Sequence, residues 1–228
     1  MILFVYIEND QNDNKNILAN SLEKHYTFIN QWSIGGGKVS VKRSTPRELT
    51  KEMIIGKARS MFVKKGFQEV SMRSIAKQLG CTHGALYYHF KNKAELFYAI
   101  VEVDFSTLND LLEKIVQGPE EDSVKLKNIF HGFIEFGLNH QSQYEIMFIV
   151  RNTEVDGLAQ KAANISYENF AQSIQALSTN QLTVAQIWSA FIAIHGFVAH
   201  FRGYVDSYEE VKGIAESHVD FILRGLFN

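Results

Sequence analysis

Between Thr82 and Lys93 the chain sets a hydroxyl, an imidazole, a bare glycine, two phenols, a second imidazole and two ammonium groups (THGALYYHFKNK). If a helix begins after Thr82, then Ala85, Leu86 and Phe90 make its inner face. The outward set is Thr82, His83, Gly84, Tyr87, Tyr88 and His89, followed by Lys91 and Lys93. Such a face suits a nucleic-acid groove. Its small, polar leading end allows close approach to base edges, and phenols and ammonium groups reach phosphates. No nucleophile motif, phosphate loop or His-Glu-x-x-His spacing appears, so we expect no catalytic residue, no metal ligand and no cofactor.

The flanking residues supply the elements that must hold this face. Ser71 is a good N-cap, and Met72, Ile75, Ala76 and Leu79 recur at helical spacing. Gly80 then stops that helix, because glycine takes the left-handed C′ conformation at little cost. Two short helices around a glycine-containing turn predict a helix-turn-helix whose second helix enters a major groove. Upstream, Thr45-Pro46-Arg47-Glu48 is a capping box with proline at the first helical position. A helix starting there, or a turn later at Thr50, buries Ile54, Ala58, Met61 and Phe62 and ends at Gly66. Downstream, Asn92-Lys93-Ala94-Glu95 is a second capping box. It opens a long helix to about Val116 and places Lys93 where free amides favour an anion.

From Thr50 to Glu102 the chain resembles the DNA-binding domain of the TetR family of bacterial transcriptional regulators. The residues that carry the resemblance are Phe62 with Gly66-Phe67, the run Ser71 to Ala76, the run Gly80 to Phe90, and Lys93 with Glu95-Leu96. The resemblance implies an all-α protein with a three-helix DNA-binding head and a C-terminal helical domain for effector binding and dimerisation. It implies a homodimer on a palindromic operator, with base edges read by Thr82, His83 and Gly84, and Tyr88 within reach. Tyr87, His89, Lys93, Ser71 and Arg73 would hold phosphates, with Met72 beside them and Arg47 and Lys51 reaching the DNA backbone. A lysine is common in the family at the place of His83, which makes this contact weaker or dependent on pH.

Charge distribution agrees with that assignment. The whole chain is near neutral at −2, yet Lys38 to Val103 holds 13 Lys and Arg against 5 Asp and Glu. From Asp104 to Asn228 the balance reverses, 8 against 16. A basic segment on an acidic protein is the electrostatic footprint of phosphate binding. The single cysteine, Cys81, excludes an internal disulfide, reads as a small filler in the turn and fits a reducing cytoplasm. No apolar run is expected to reach the roughly 18 residues that span a bilayer, so no membrane partner is expected.

Residues 1–43 are polar and asparagine-rich and end near Gly35-Gly36-Gly37. They read as a disordered or non-native extension, with a GUG start near Val41, or else as a basic-ended arm on the DNA. The head then spans 44–92 and the helical domain 93–228. In the latter, helices are expected over about 121–139, 143–151, 155–178, 183–203 and 208–227. Phe105, Phe133, Phe136, Met147, Phe148, Tyr167 and Phe170, with Trp188 and His195, are either ordinary core or the lining of a pocket for an apolar or amphipathic effector. The stretch 183–203 is apolar nearly all round, which requires burial on several sides. Its residues Phe191, Ile194 and Val198, with Ile214, His218 and Ile222 of the last helix, are expected to form a four-helix dimer interface. Two rivals from other classes are an enzyme with a helical site and a helical carrier of apolar molecules without operator binding. Activation rather than repression would use the same parts.

Overall fold

The computed structural model describes residues 49–150 and 155–227. Expectations for the N-terminal extension, for the capping pattern at Thr45 and for Arg47 lie outside them. Leu49–Asn228 packs as one compact unit. Its helices are α1 (Lys51–Glu69), α2 (Met72–Leu79), α3 (His83–His89), α4 (Lys93–Val116), α5 (Asp122–Asn139), α6 (Gln141–Tyr144), α7 (Asp156–Leu177), α8 (Val184–Phe201) and α9 (Lys212–Phe227). A π turn over Glu145–Ile149 continues α6, and a 3-10 turn over Tyr208–Val211 leads into α9. Among the described residues the backbone forms no strand, only one isolated bridge between Arg202 and Val205. The all-α expectation holds, and the five later helices lie within about two residues of their expected ends once the π turn is counted with α6 and the 3-10 turn with α9.

Caps set most boundaries. Thr50 opens α1 by accepting from the Met53 amide at 3.3 Å, and Thr183 opens α8 in a reciprocal box with Gln186. The Glu210 carboxylate accepts from the Ser207 amide at 3.0 Å ahead of α9. The Asn92 pattern closes differently. Its side chain accepts from the Glu95 amide at 2.8 Å, but the Glu95 carboxylate reaches back one residue further, to the Lys91 amide at 2.6 Å. Regular α1 geometry stops at Gly66 (φ 77°, ψ 161°), which turns Phe67 back over the helix.

Phe62, Phe67 and Phe97 then form a triad with ring centroids 5.2–5.5 Å apart, fixing the first turns of α4 to the back of α1. Further along α4, Phe105, Leu108 and Leu112 enter the core of the helical body. One helix therefore belongs to both ends of the core. In the body, α5 and α8 cross closely at Gly137, where an added Cβ would lie 2.6 Å from a Val198 methyl. Only a residue without a side chain permits that approach.

By length and composition, α8 is long and apolar enough to cross a membrane, contrary to the expectation of no such run. Its packing explains the composition. One side meets α5 and α7 of the body, and another meets α9. Phe191, Ile194 and Val198, expected at a dimer face, point into the body and are buried. A helix apolar all round carries no periodic signal of which face looks inward.

Candidate nucleic-acid interface

The geometry of α2, the turn and α3 follows from side chains that bond their own backbone. Ser71 and Ser74 cap each other, Ser71 Oγ accepting from the Ser74 amide at 3.1 Å and Ser74 Oγ from the Ser71 amide at 3.0 Å. Gly80 takes φ 68°, ψ 25°, and its amide and that of Cys81 close the last turn of α2 on Lys77 and Ala76. Thr82 Oγ1 accepts from the Ala85 amide at 3.1 Å. The acceptor capacity of Ser71 and Thr82 is thus partly used in capping, and each hydroxyl proton stays free to donate. Met72, Ile75, Ala76, Leu86 and Phe90 are buried, with Cys81 half-buried in the turn, so both helices sit on a fixed base.

On that base the predicted outward face is exposed. Thr82, His83, Gly84, Tyr87 and Tyr88 lie in solvent, with Tyr88 88% exposed and Tyr87 42%. His83 and Tyr87 meet edge to face at 4.5 Å, which holds the phenol against the leading end of α3. His89 is half-buried and meets Tyr88 at 5.3 Å. Arg73 is exposed at the start of α2, and the Lys51 ammonium lies 5.7 Å from the Phe90 ring centroid.

Two expected contacts change. Met72 is 5% exposed, because its side chain completes the core under α2, leaving only its backbone near the surface. Lys93 is not a free clamp. Its Nζ donates to the Phe67 carbonyl at 2.9 Å and sits 4.1 Å over the Phe67 ring, tying α4 to the end of α1. That partner lies 26 residues away in the chain, so local spacing gave no sign of it. Lys91, part of the expected outward set, is exposed, and so is Lys77 of α2.

Residues 54–100, which contain this whole arrangement, match the family profile of bacterial regulatory proteins, tetR family. Those residues carry the TetR-family DNA-binding domain. Among similar proteins, the HTH-type transcriptional regulator AcrR of Shigella flexneri is 27% identical over 179 residues. That match covers 74% of the chain and 81% of AcrR. IcaR of Staphylococcus aureus, the negative transcriptional regulator of the biofilm operon icaADBC, is 25% identical over 99 residues, covering 43% of this chain and 52% of IcaR. The solved structure of the TetR-family regulator PfmR from Thermus thermophilus has the same fold. Its TM-score is 0.60 at 21% identity, over 76% of this chain and 98% of that one. The proteins it resembles are transcriptional regulators, and members of the TetR family bind DNA and are not enzymes.

The helical body gathers most of the residues expected around an effector. Phe191 is their hub. It lies 5.2–6.5 Å from the rings of Phe133, Phe148, Tyr167, Phe170, Trp188 and His195. Phe105 joins through Phe148 at 5.3 Å. Phe136 stands apart, its ring 5.0 Å from His140, and Met147 is buried in the core. The polar edge of the cluster is a hydrogen bond between Tyr144 and Nδ1 of His195. Burial holds the His195 imidazole below its ordinary pKa and pushes the Tyr144 phenol upward. The pairing of His195 with Tyr144, 51 residues away in the chain, was not anticipated.

A groove of about 360 Å³ lies elsewhere, on the outer side of α8 and α9. Small residues of α8 (Ala185, Ser189, Ala193) form one wall, and Phe221, Ile222 and Gly225 of α9 form the other. Val184 and Ile192 of α8 and Ile214 and Phe221 of α9 are exposed. Of the expected dimer residues, Ile222 lines the groove and Ile214 is exposed on α9. His218 is half-buried beside them, its Nε2 3.1 Å from the Ala193 carbonyl oxygen.

Proposed function

We propose that this protein is a homodimeric repressor that binds a palindromic operator through α2 and α3 and leaves it when a small molecule enters the body. The observation that carries this reading is the exposed face of α3. Five groups suited to base edges and phosphates stand over a rigid apolar base, in the most basic part of the chain. Thr82, His83 and Gly84 read base edges with Tyr88, while Ser71, Arg73, Tyr87, His89 and Lys51 hold phosphates. Residues 44–92 act as the head and 93–228 as the effector and dimer domain, working in the cytoplasm.

Dimerisation rests on the outer face of α8 and α9, where apolar residues border a groove. A two-fold pair through that face is isologous and places two recognition helices about 34–36 Å apart, one turn of DNA. The effector is apolar or amphipathic, in keeping with the aromatic cluster around Phe191 and its single polar edge at Tyr144 and His195. By binding one arrangement of the body better than the other, it shifts the separation of the heads through α4. The negative regulator IcaR favours repression as the sign.

The deciding experiment is a gel shift with DNA from upstream of the protein's own gene, at physiological salt and with competitor DNA. Specific retardation is the expected result. No retardation there, and no enrichment in a random-sequence selection, would reject operator binding in favour of an apolar carrier.

A further inference from the structure

Asp104 is a carboxylate with no exposed surface, on a face of α4 otherwise made of Val101, Phe105 and Leu108. The Arg59 guanidinium of α1 grips it with two prongs, Nε donating to Oδ2 at 2.9 Å and Nη2 to Oδ1. From the other side, Nε2 of Gln143 in α6 donates to Oδ1 at 3.1 Å. Head, connecting helix and body therefore converge on one buried charge. An apolar trio of similar volume would often serve stability as well or better, because desolvating the ions offsets much of their attraction. A forked guanidinium–carboxylate pair adds direction: it is satisfied in one mutual orientation of α1 and α4 and lost in others.

Gln143 is also the near end of a short relay. Its neighbour Tyr144 bonds His195, and Glu145 pairs with Arg202 at 2.6 Å. Phe148, in the π turn that follows, packs on Phe105, Tyr144, Phe191 and His195. The same segment packs directly on α1. A rearrangement of the rings around Phe191 cannot move Phe148 and Tyr144 without moving Gln143 on the same two turns.

We propose that Arg59, Asp104 and Gln143 form a joint that sets the angle of the head on α4 and transmits the state of the aromatic cluster to it. All three are positioning residues. With the Gln143 amide seated, the fork holds the operator-binding orientation; when the α6 segment shifts, the carboxylate loses one partner and the head is released. The inference rests on the reading of the body as an effector domain and adds the residues through which it acts.

The test uses the full chain and an operator recovered by the gel shift or the selection. Gln143→Met keeps the volume and removes one bond, and Arg59→Lys keeps the charge and removes the fork. The pair Arg59→Met with Asp104→Leu removes both charges. Operator affinity is followed by fluorescence anisotropy and folding by the thermal midpoint. We expect Gln143→Met and Arg59→Lys to weaken operator binding about tenfold, within the usual range of coupling between sites, while Gln143→Met leaves the midpoint close to wild type. The double variant regains the midpoint but not the affinity. Wild-type affinity in Gln143→Met and Arg59→Lys, or affinity that returns with the midpoint in the double variant, would reduce the trio to a structural contact. A wild-type chain that binds no DNA would overturn the regulator reading and the joint with it.

Discussion

Tyr87 is the side chain on which the DNA-facing surface can be tested most cleanly. Its ring leans on His83 at the surface, outside the buried core, and its hydroxyl is free to donate. Tyr87→Ala should weaken operator binding by about 1–3 kcal/mol, the value of a hydrogen bond to a charged acceptor, and leave the thermal midpoint nearly unchanged. Anisotropy titrations at matched salt check this. His195 governs a different property. Burial keeps its imidazole below the ordinary value of 6.5, and burial lowers His131 as well, helped by Lys127. Below that ordinary value the unfolded chain takes up protons that the native chain does not, so stability is full above it and falls as pH drops toward the depressed native pKa. The thermal midpoint should therefore decline between about pH 7 and pH 5. In His195→Gln that decline should be shallower, and an unchanged slope would assign it to other groups.

At the scale of elements, much of the fold was legible because helix ends are local chemistry. Ser71, Thr82, Asn92, Thr183 and Ser207 each cap within three residues of themselves, and Gly80 ends α2 by a conformation that glycine alone adopts cheaply. Gly80 gives a sharp prediction, because a Cβ there would meet nothing within 4 Å. Gly80→Ala should cost about 1–2 kcal/mol through the left-handed backbone alone. Gly80→Asn should recover part of the loss. Urea unfolding midpoints separate the two. What local chemistry did not reveal was distant pairing. The partners of Lys93 and Asp104 lie 26 and 45 residues away, so a lysine that looked like an anion clamp proved to be a tie between helices. A lone carboxylate among Val101, Phe105 and Leu108 was the one available sign of the joint, since an acid on an apolar face needs a buried partner.

For the whole molecule, the orientation of α8 decides which surface is left to meet a second copy. Its all-apolar composition demands burial on several sides and leaves open which side the body takes. The large residues Phe191, Ile194 and Val198 went inward, leaving Ala185, Ser189, Ile192 and Gly196 outward at helical spacing. Of these, Ala185, Ser189 and Gly196 let a second α8 come close, while Phe221 of α9, 68% exposed, supplies bulk to fill the space between. If two copies pair here, Phe221→Glu puts a charge into a dry contact at both symmetry-related places at once, because a two-fold interface repeats each substitution. We expect light scattering to report a monomer and circular dichroism to report an intact fold, since Phe221 contributes little to the core of its own chain. Operator binding should fall more steeply than any single phosphate contact can explain, because one head alone holds half of the site. The salt dependence separates this from a local defect. The slope of log K against log salt scales with the phosphates neutralised, so it should drop to about half in the variant. A dimeric Phe221→Glu protein with an unaltered slope would move the interface away from α8 and α9.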